Sequence, residues 1–157
     1  MKVNIGAYND NGKKRQIEVH IDNWDTWSMD HTLSYIIVPM LKQLKKTTHG
    51  SAIVDQEDLP EHLKGTTTED WDDQRTFEFY QQGTKLRNAD KLVHERWKWV
   101  LKEMIWAFKQ IRNNMKKDDK FFDKNHNLVD KDGYEAYHKR VDNGTRLFGK
   151  YYRGLWD

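Results

Sequence analysis

The segment Arg146-Leu147-Phe148-Gly149-Lys150-Tyr151-Tyr152-Arg153-Gly154-Leu155-Trp156 interleaves cations with aromatic rings. Guanidinium and ammonium groups pair with phosphates, and flat rings stack on bases. This pattern suits a nucleotide-type ligand. Arg146, Lys150 and Arg153 would hold its phosphates, while Trp27, Tyr151 and Trp156 would stack on its bases. The plainer assignment is a helix with Phe148, Tyr152 and Leu155 in the core and its cations in water. Tyr151 and Trp156 fall off that apolar stripe, beside the charges.

A second group could bind a metal. Asp25, Asp30 and His31 lie in the polar-aromatic run Asp25-Thr26-Trp27-Ser28-Met29-Asp30-His31, and Glu103 on a later helix could join them. Carboxylates and an imidazole would serve a metal-dependent hydrolase acting on nucleotides. Helix capping by the acids and a hydrogen-bonded His is the simpler explanation. No H-x-x-x-H, H-E-x-x-H or D-x-D spacing supports the metal.

Other motifs fail on particular residues. Gly144 to Lys150 reads G-x-x-x-x-G-K, but Tyr151 replaces the Ser or Thr a phosphate loop needs for magnesium. Asp123-Lys124-Asn125-His126-Asn127 begins like a calcium loop, yet Leu128 replaces the glycine at position six and Tyr134 the glutamate at position twelve. There is no G-x-S-x-G elbow for a serine nucleophile. With no cysteine, thiolate chemistry and disulfides are excluded. No catalytic residue and no cofactor are expected.

The elements that would carry these residues follow from the hydrophobic pattern, which predicts an α+β fold, mostly helical. The chain of 157 residues fits a single domain, 1–157. Residues 1–22 alternate on either side of Asn9-Asp10-Asn11-Gly12, a hairpin signal with Val3, Ile5, Ile17, Val19 and Ile21 on its inner face. Helix one is expected within 23–46. Its stripe is Met29, Leu33, Ile36, Ile37, Met40, Leu41 and Leu44, capped by Ser28 or Thr26 and kinked by Pro39.

Helix two is expected over 88–115. Val93, Trp97, Val100, Leu101, Met104, Ile105, Phe108 and Ile111 face the core, and Trp99 and Trp106 meet a second layer or a partner. Helix three is expected within 130–156, interrupted by Gly144, Gly149 and Gly154. Those glycines fit close approach of another backbone or a flat ligand, or a break near Gly144. Residues 47–87 read as an acidic loop region. Within it, Ser51–Asp73 holds 8 acidic residues and one Lys. It is either solvated or docked on the basic C-terminal half, since residues 91–157 carry a net charge of +6 and residues 1–90 a net charge of −4.

The overall charge of +2 argues against a polycation that coats nucleic acid. No apolar run approaches the roughly 20 residues of a membrane span, and no signal peptide opens the chain, which suggests a cytoplasmic protein. The 7 Trp, 7 Tyr and 6 Phe exceed what one small core needs. Surplus rings and edge strands predict a homo-oligomer, with the remaining surface meeting a ligand or a protein.

Three runs carry a resemblance: Trp24-Asp25-Thr26-Trp27-Ser28-Met29-Asp30-His31-Thr32-Leu33, Val38-Pro39-Met40-Leu41-Lys42-Gln43-Leu44 and Leu147-Phe148-Gly149-Lys150-Tyr151-Tyr152. They resemble a family of small tailed-bacteriophage proteins, over most of the chain except the acidic loop. The resemblance implies a phage origin and a host-cytoplasm or virion location; it carries no activity and no site residues. The expectation is therefore a non-catalytic phage accessory protein that sequesters a small nucleotide-type ligand, such as a host defence signal. The alternatives are a protein-binding inhibitor of a host factor or a virion component, and the metal-dependent hydrolase.

Overall fold

The computed structural model describes residues 1–6, 15–64, 92–113 and 116–156. The fold is α+β: strands β1 (Lys2–Ile5) and β2 (Ile17–His20), then helices α1 (Met29–Thr47), α2 (Val93–Arg112) and α3 (Lys131–Lys150). Short 3₁₀ turns lie between them, at Asn23–Thr26, Gln56–Asp58, Glu61–Leu63 and Lys116–Phe121, and another follows α3 at Tyr152–Gly154. The Asn9–Gly12 turn, the acidic region beyond Lys64 and the expected start of helix two at residues 88–91 lie outside the described residues.

α2 is the central element, packed against α1 on one side and α3 on the other. Its stripe is the expected one. Trp97, Val100, Leu101 and Met104 are wholly buried, with Ile105 and Phe108 nearly so. From the flanks, Val38 and Leu41 of α1 and Leu147 of α3 complete the cluster. Burying these side chains at roughly 1.5–3 kcal/mol each is the main force holding the three helices together.

α3 does not break at Gly144. The glycine lies mid-helix where α2 comes closest: a Cβ there would collide with the Ala107 Cβ and stand 2.9 Å from the Glu103 carbonyl oxygen. Close backbone approach, one of the two expectations for this position, is the outcome. Gly149 has open space around it. Trp99 and Trp106 both meet a second layer. Trp99 packs on the main core, and Trp106 lies edge-on to Tyr137 of α3, with centroids 5.5 Å apart. Phe121, Tyr137 and Val141 form a smaller second cluster beside them.

α1 is only half covered. Ser34, Val38 and Leu41 are buried, and Ser34 returns its hydroxyl to the Asp30 carbonyl at 2.8 Å. Met29, Leu33 and Met40, three residues of the expected stripe, are instead exposed, because α2 meets the face of Ser34, Val38 and Leu41. Ser28 occupies the N-cap position without a side-chain capping bond.

The hairpin register pairs Lys2 with His20, Val3 with Val19, Asn4 with Glu18 and Ile5 with Ile17. This puts the expected apolar residues on one face. That face does not lie inward, however. Val3 is half-buried, while Ile5, Ile17, Val19 and Ile21 are 46–64 % exposed. The physical reason lies in how the chain is joined. The hairpin is tied to the turn before α1 by its N-terminus, where the Met1 ammonium meets Asp25 at 2.6 Å, and α2 and α3 have already satisfied each other.

Candidate functional site

The described part of the acidic segment folds back onto the C-terminal half of the same chain. Its apolar residues lead. Val54, Leu59 and Leu63 are buried in the main core, and the buried Arg96 donates from Nε to the Leu63 carbonyl at 2.8 Å. Gly154 makes room for this return, since a Cβ there would stand 2.9 Å from the Ala52 Cβ.

The charges then meet. Lys150 Nζ lies 2.7 Å from Asp55 Oδ2, 2.8 Å from Glu57 Oε1 and 2.7 Å from Asp58 Oδ2. Arg146 bonds Asp58 Oδ1, and it also donates to Asn143 Oδ1 at 2.8 Å. The Tyr151 hydroxyl donates to Asp58 Oδ2 at 2.6 Å and accepts from the Asp55 backbone N–H at 3.0 Å. Its ring is buried edge-on against Trp97, 6.0 Å between centroids. Of the two readings of the acidic segment, docking on the basic half is the one this portion adopts.

Electrostatics follow from burial and partners. The Asp58 side chain is only 2 % exposed, and burial alone would raise its pKa. Bonds from Lys150, Tyr151 and Arg146 outweigh that and hold it below the usual carboxylate value. Burial, reinforced by the bond to Asp58, pushes the Tyr151 hydroxyl above its ordinary value, so it stays a donor at neutral pH. Lys150 also titrates above its ordinary value: burial pulls it down, but its three carboxylates prevail. The oxygens of Asp55, Glu57 and Asp58 converge as a metal-ligand set would. The cation among them is the Lys150 ammonium.

The expected ligand residues are therefore only partly brought together. Arg146, Lys150 and Tyr151 share one site, with each cation already bonded to acids of the same chain. Arg153 and Trp156 are exposed near the chain's end, and the Trp156 ring lies over Gly50. Trp27 is elsewhere, in the stretch leading into α1, 82 % exposed and 6.0 Å from the Trp24 ring.

The alternative metal residues are not assembled. Asp25 accepts from the Met1 ammonium at 2.6 Å and from the Asp22 N–H at 2.7 Å; the ammonium bond is the main reason its pKa is lowered. Glu103 is buried and takes both bonds of an Arg140 fork at 2.8 Å, while the Arg140 guanidinium stacks 4.1 Å over Trp106. Asp30 is exposed, and His31 lies against Tyr35. Asp123 caps its own loop, accepting from the Asn125 and Asn127 N–H groups at 2.8 and 2.9 Å, so the calcium-like run is a polar turn.

Sequence reasoning missed Asp55, Glu57 and Asp58 as individual partners of Arg146 and Lys150. The signal was the opposite charge of the two halves, which names segments and not residues. It also missed Trp24, whose exposure nothing in the stripe pattern reveals. No protein-family model, no curated protein and no solved structure matches this chain.

Proposed function

We propose that the protein is a non-catalytic accessory protein of a tailed bacteriophage. It acts in the host cytoplasm by gripping another protein through the apolar surface around Trp24 and Trp27. The observation that carries this reading is the exposure of those two rings, at 77 % and 82 %, beside exposed Met29 and Leu33 on the first turns of α1. Rigid aromatic side chains lose little entropy on binding and anchor interfaces. Two largely open indoles offer on the order of 300 Å² between them, already comparable with the largest apolar patch of an ordinary monomer. The aliphatic neighbours extend it.

The test is capture from infected cells with the wild-type chain and with a Trp24→Ser, Trp27→Ser variant, both verified as folded. The expected result is one stoichiometric protein retained by the wild type and lost from the variant. Identical captures with both would overturn the reading.

A second reading, sequestration of a small nucleotide-type ligand, is favoured by the exposed pair of Arg153 and Trp156 at the other end of the chain. It predicts a nucleotide-sized adduct in native mass spectra of the protein from infected cells. Loss of that adduct on Arg153→Ala, Trp156→Ala would place it there.

A further inference from the structure

Among the described residues, the hairpin has backbone groups without partners. Gly6 N–H donates to the Gln16 carbonyl at 2.8 Å, which makes Gly6 and Gln16 a hydrogen-bonded pair. In an antiparallel ladder such pairs alternate with non-bonded ones. With the observed register, Asn4–Glu18 and Lys2–His20 are therefore bonded, and Val3–Val19 and Ile5–Ile17 are not. The N–H and C=O groups of Val3 and Ile5 thus point away from β2 along a free edge. No hydrogen bond from any other described residue reaches them. A two-stranded ribbon is marginal in water, and three or more strands with an apolar face are needed for stability.

We propose that a second copy of this chain pairs with the β1 edge, antiparallel about a twofold axis at Asn4. The product is a four-stranded sheet in the order β2–β1–β1–β2. Val3 of each copy exchanges both of its backbone bonds with Ile5 of the other, so every outward group finds a partner. Because strand side chains alternate, Val3, Ile5, Ile17 and Val19 of both copies fall on one continuous apolar face.

Charge selects this edge over the other. The same twofold on β2 would set Glu18 against Glu18 of the second copy, and like charges directly opposite are destabilising. On β1 the residue that meets itself is the uncharged Asn4, and Lys2 falls opposite Gly6. β1 contains no proline, and its one charge, Lys2, lies at the end of the strand rather than at the centre of the paired edge. The inference does not depend on the protein partner proposed above, since Trp24 and Trp27 are not part of the paired edge.

The test is sedimentation equilibrium across a concentration series with wild type, Asn4→Asp, Asn4→Lys and a one-to-one mixture of the two variants. Asn4 is exposed, so neither charge disturbs the core. In the proposed register Asn4 is a non-bonded pair across the axis, where side chains stand closest. Wild type is expected to show a two-chain mass that falls on dilution. Each variant alone should dimerise about five- to tenfold more weakly, and the mixture should regain at least the wild-type affinity. An Ile5→Pro variant, which removes an outward N–H that the hairpin does not use, should be monomeric.

A one-chain mass at every wild-type concentration overturns the proposal. So does a dimer that ignores the charge at Asn4, because it would use another face. A monomer that still captures its partner through Trp24 and Trp27 would sink the self-pairing alone. An Asn4-dependent dimer with no tryptophan-dependent capture would sink the protein-binding reading alone.

Discussion

The two ends of the chain treat the same kinds of side chain in opposite ways. In the C-terminal half, Trp97, Trp106, Tyr137 and Tyr151 are each enclosed by rings or charged groups of the same chain. Arg146 and Lys150, though partly exposed, are each bonded to the enclosed Asp58 that folds back onto this half. In the N-terminal third, Trp24, Trp27, Ile17 and Val19 stand in solvent. The difference is one of geometry. A helix buries a stripe against one neighbour and is finished, whereas a ribbon of two strands has two edges and a face that α1 alone cannot cover. The finished half is the scaffold, and the unfinished part is where a partner would add stability.

The largest expected effect breaks the finished half. Gly144→Ala forces a Cβ into Ala107 and the Glu103 carbonyl, so α2 and α3 must part. Overpacking typically costs about 1–3 kcal/mol, and the upper end is expected here because backbone stands on one side. Urea unfolding should show the loss as a lower midpoint with little change in slope. An unchanged midpoint would mean that the two helices are not as close as described.

Next comes Asp58→Asn, which removes the carboxylate that Lys150, Tyr151 and Arg146 share. Leaving the Tyr151 hydroxyl and two partly exposed cations without this carboxylate is expected to cost about 1–2 kcal/mol at neutral pH. The sign of the pH dependence follows from the lowered pKa. The folded protein holds Asp58 ionised below the unfolded value of about 3.9, so its contribution is fully present above that value. It is lost as pH falls through the folded pKa. The wild type should therefore lose stability more steeply than the variant below about pH 4, and the two curves should converge. Parallel curves would show that Asp58 is not the charged centre of the site.

How much of this was legible beforehand divides along the same line. The stripe of α2 was readable because a period of 3.6 residues is written directly in Trp97, Val100, Leu101 and Met104. Those of α1 and α3 were read one position off in part, since Val38, Leu147 and Tyr151 are buried while the expected Met40 and Tyr152 are exposed. Which hairpin residues share a face was readable from their alternation, although the register was not. Nor was the orientation of that face, since alternation says which residues share a face and never what lies against it. The engagement of Arg146 and Lys150 was legible only as charge asymmetry between segments. Naming Asp58 required knowing that Leu59 and Leu63 are buried, which turns the short acidic stretch inward. Whether Trp27 and Tyr151 would meet was beyond the sequence too, because it depends on which ends of the helices lie together.

A smaller effect, of opposite sign, comes from Gly149. It sits in α3 with nothing within reach of a Cβ, so its conformational freedom is a cost without a packing return. Gly149→Ala should stabilise the protein by about 0.5–1 kcal/mol. A rise in the denaturation midpoint would separate this glycine from Gly144, five positions earlier on the same helix, where the same substitution is damaging. A loss of stability would mean that Gly149 also faces a close neighbour.

The smallest expected effect sharpens the contrast most. Trp27→Ser removes a ring as large as that of Trp97, yet the chain does not cover it: Trp27 is 82 % exposed and Trp97 is 0 %. Surface substitutions away from caps and networks stay within about 0.5 kcal/mol, whereas truncating a buried Trp costs about 3–5 kcal/mol. Paired denaturation curves of Trp27→Ser and Trp97→Ala should therefore differ by several-fold in lost stability. If Trp27→Ser cost as much as Trp97→Ala, its ring would be held by the chain itself or by a second copy. It could not then be the open anchor that the proposed function needs. If it cost almost nothing while abolishing capture of a partner, the free energy of that ring would be reserved for binding.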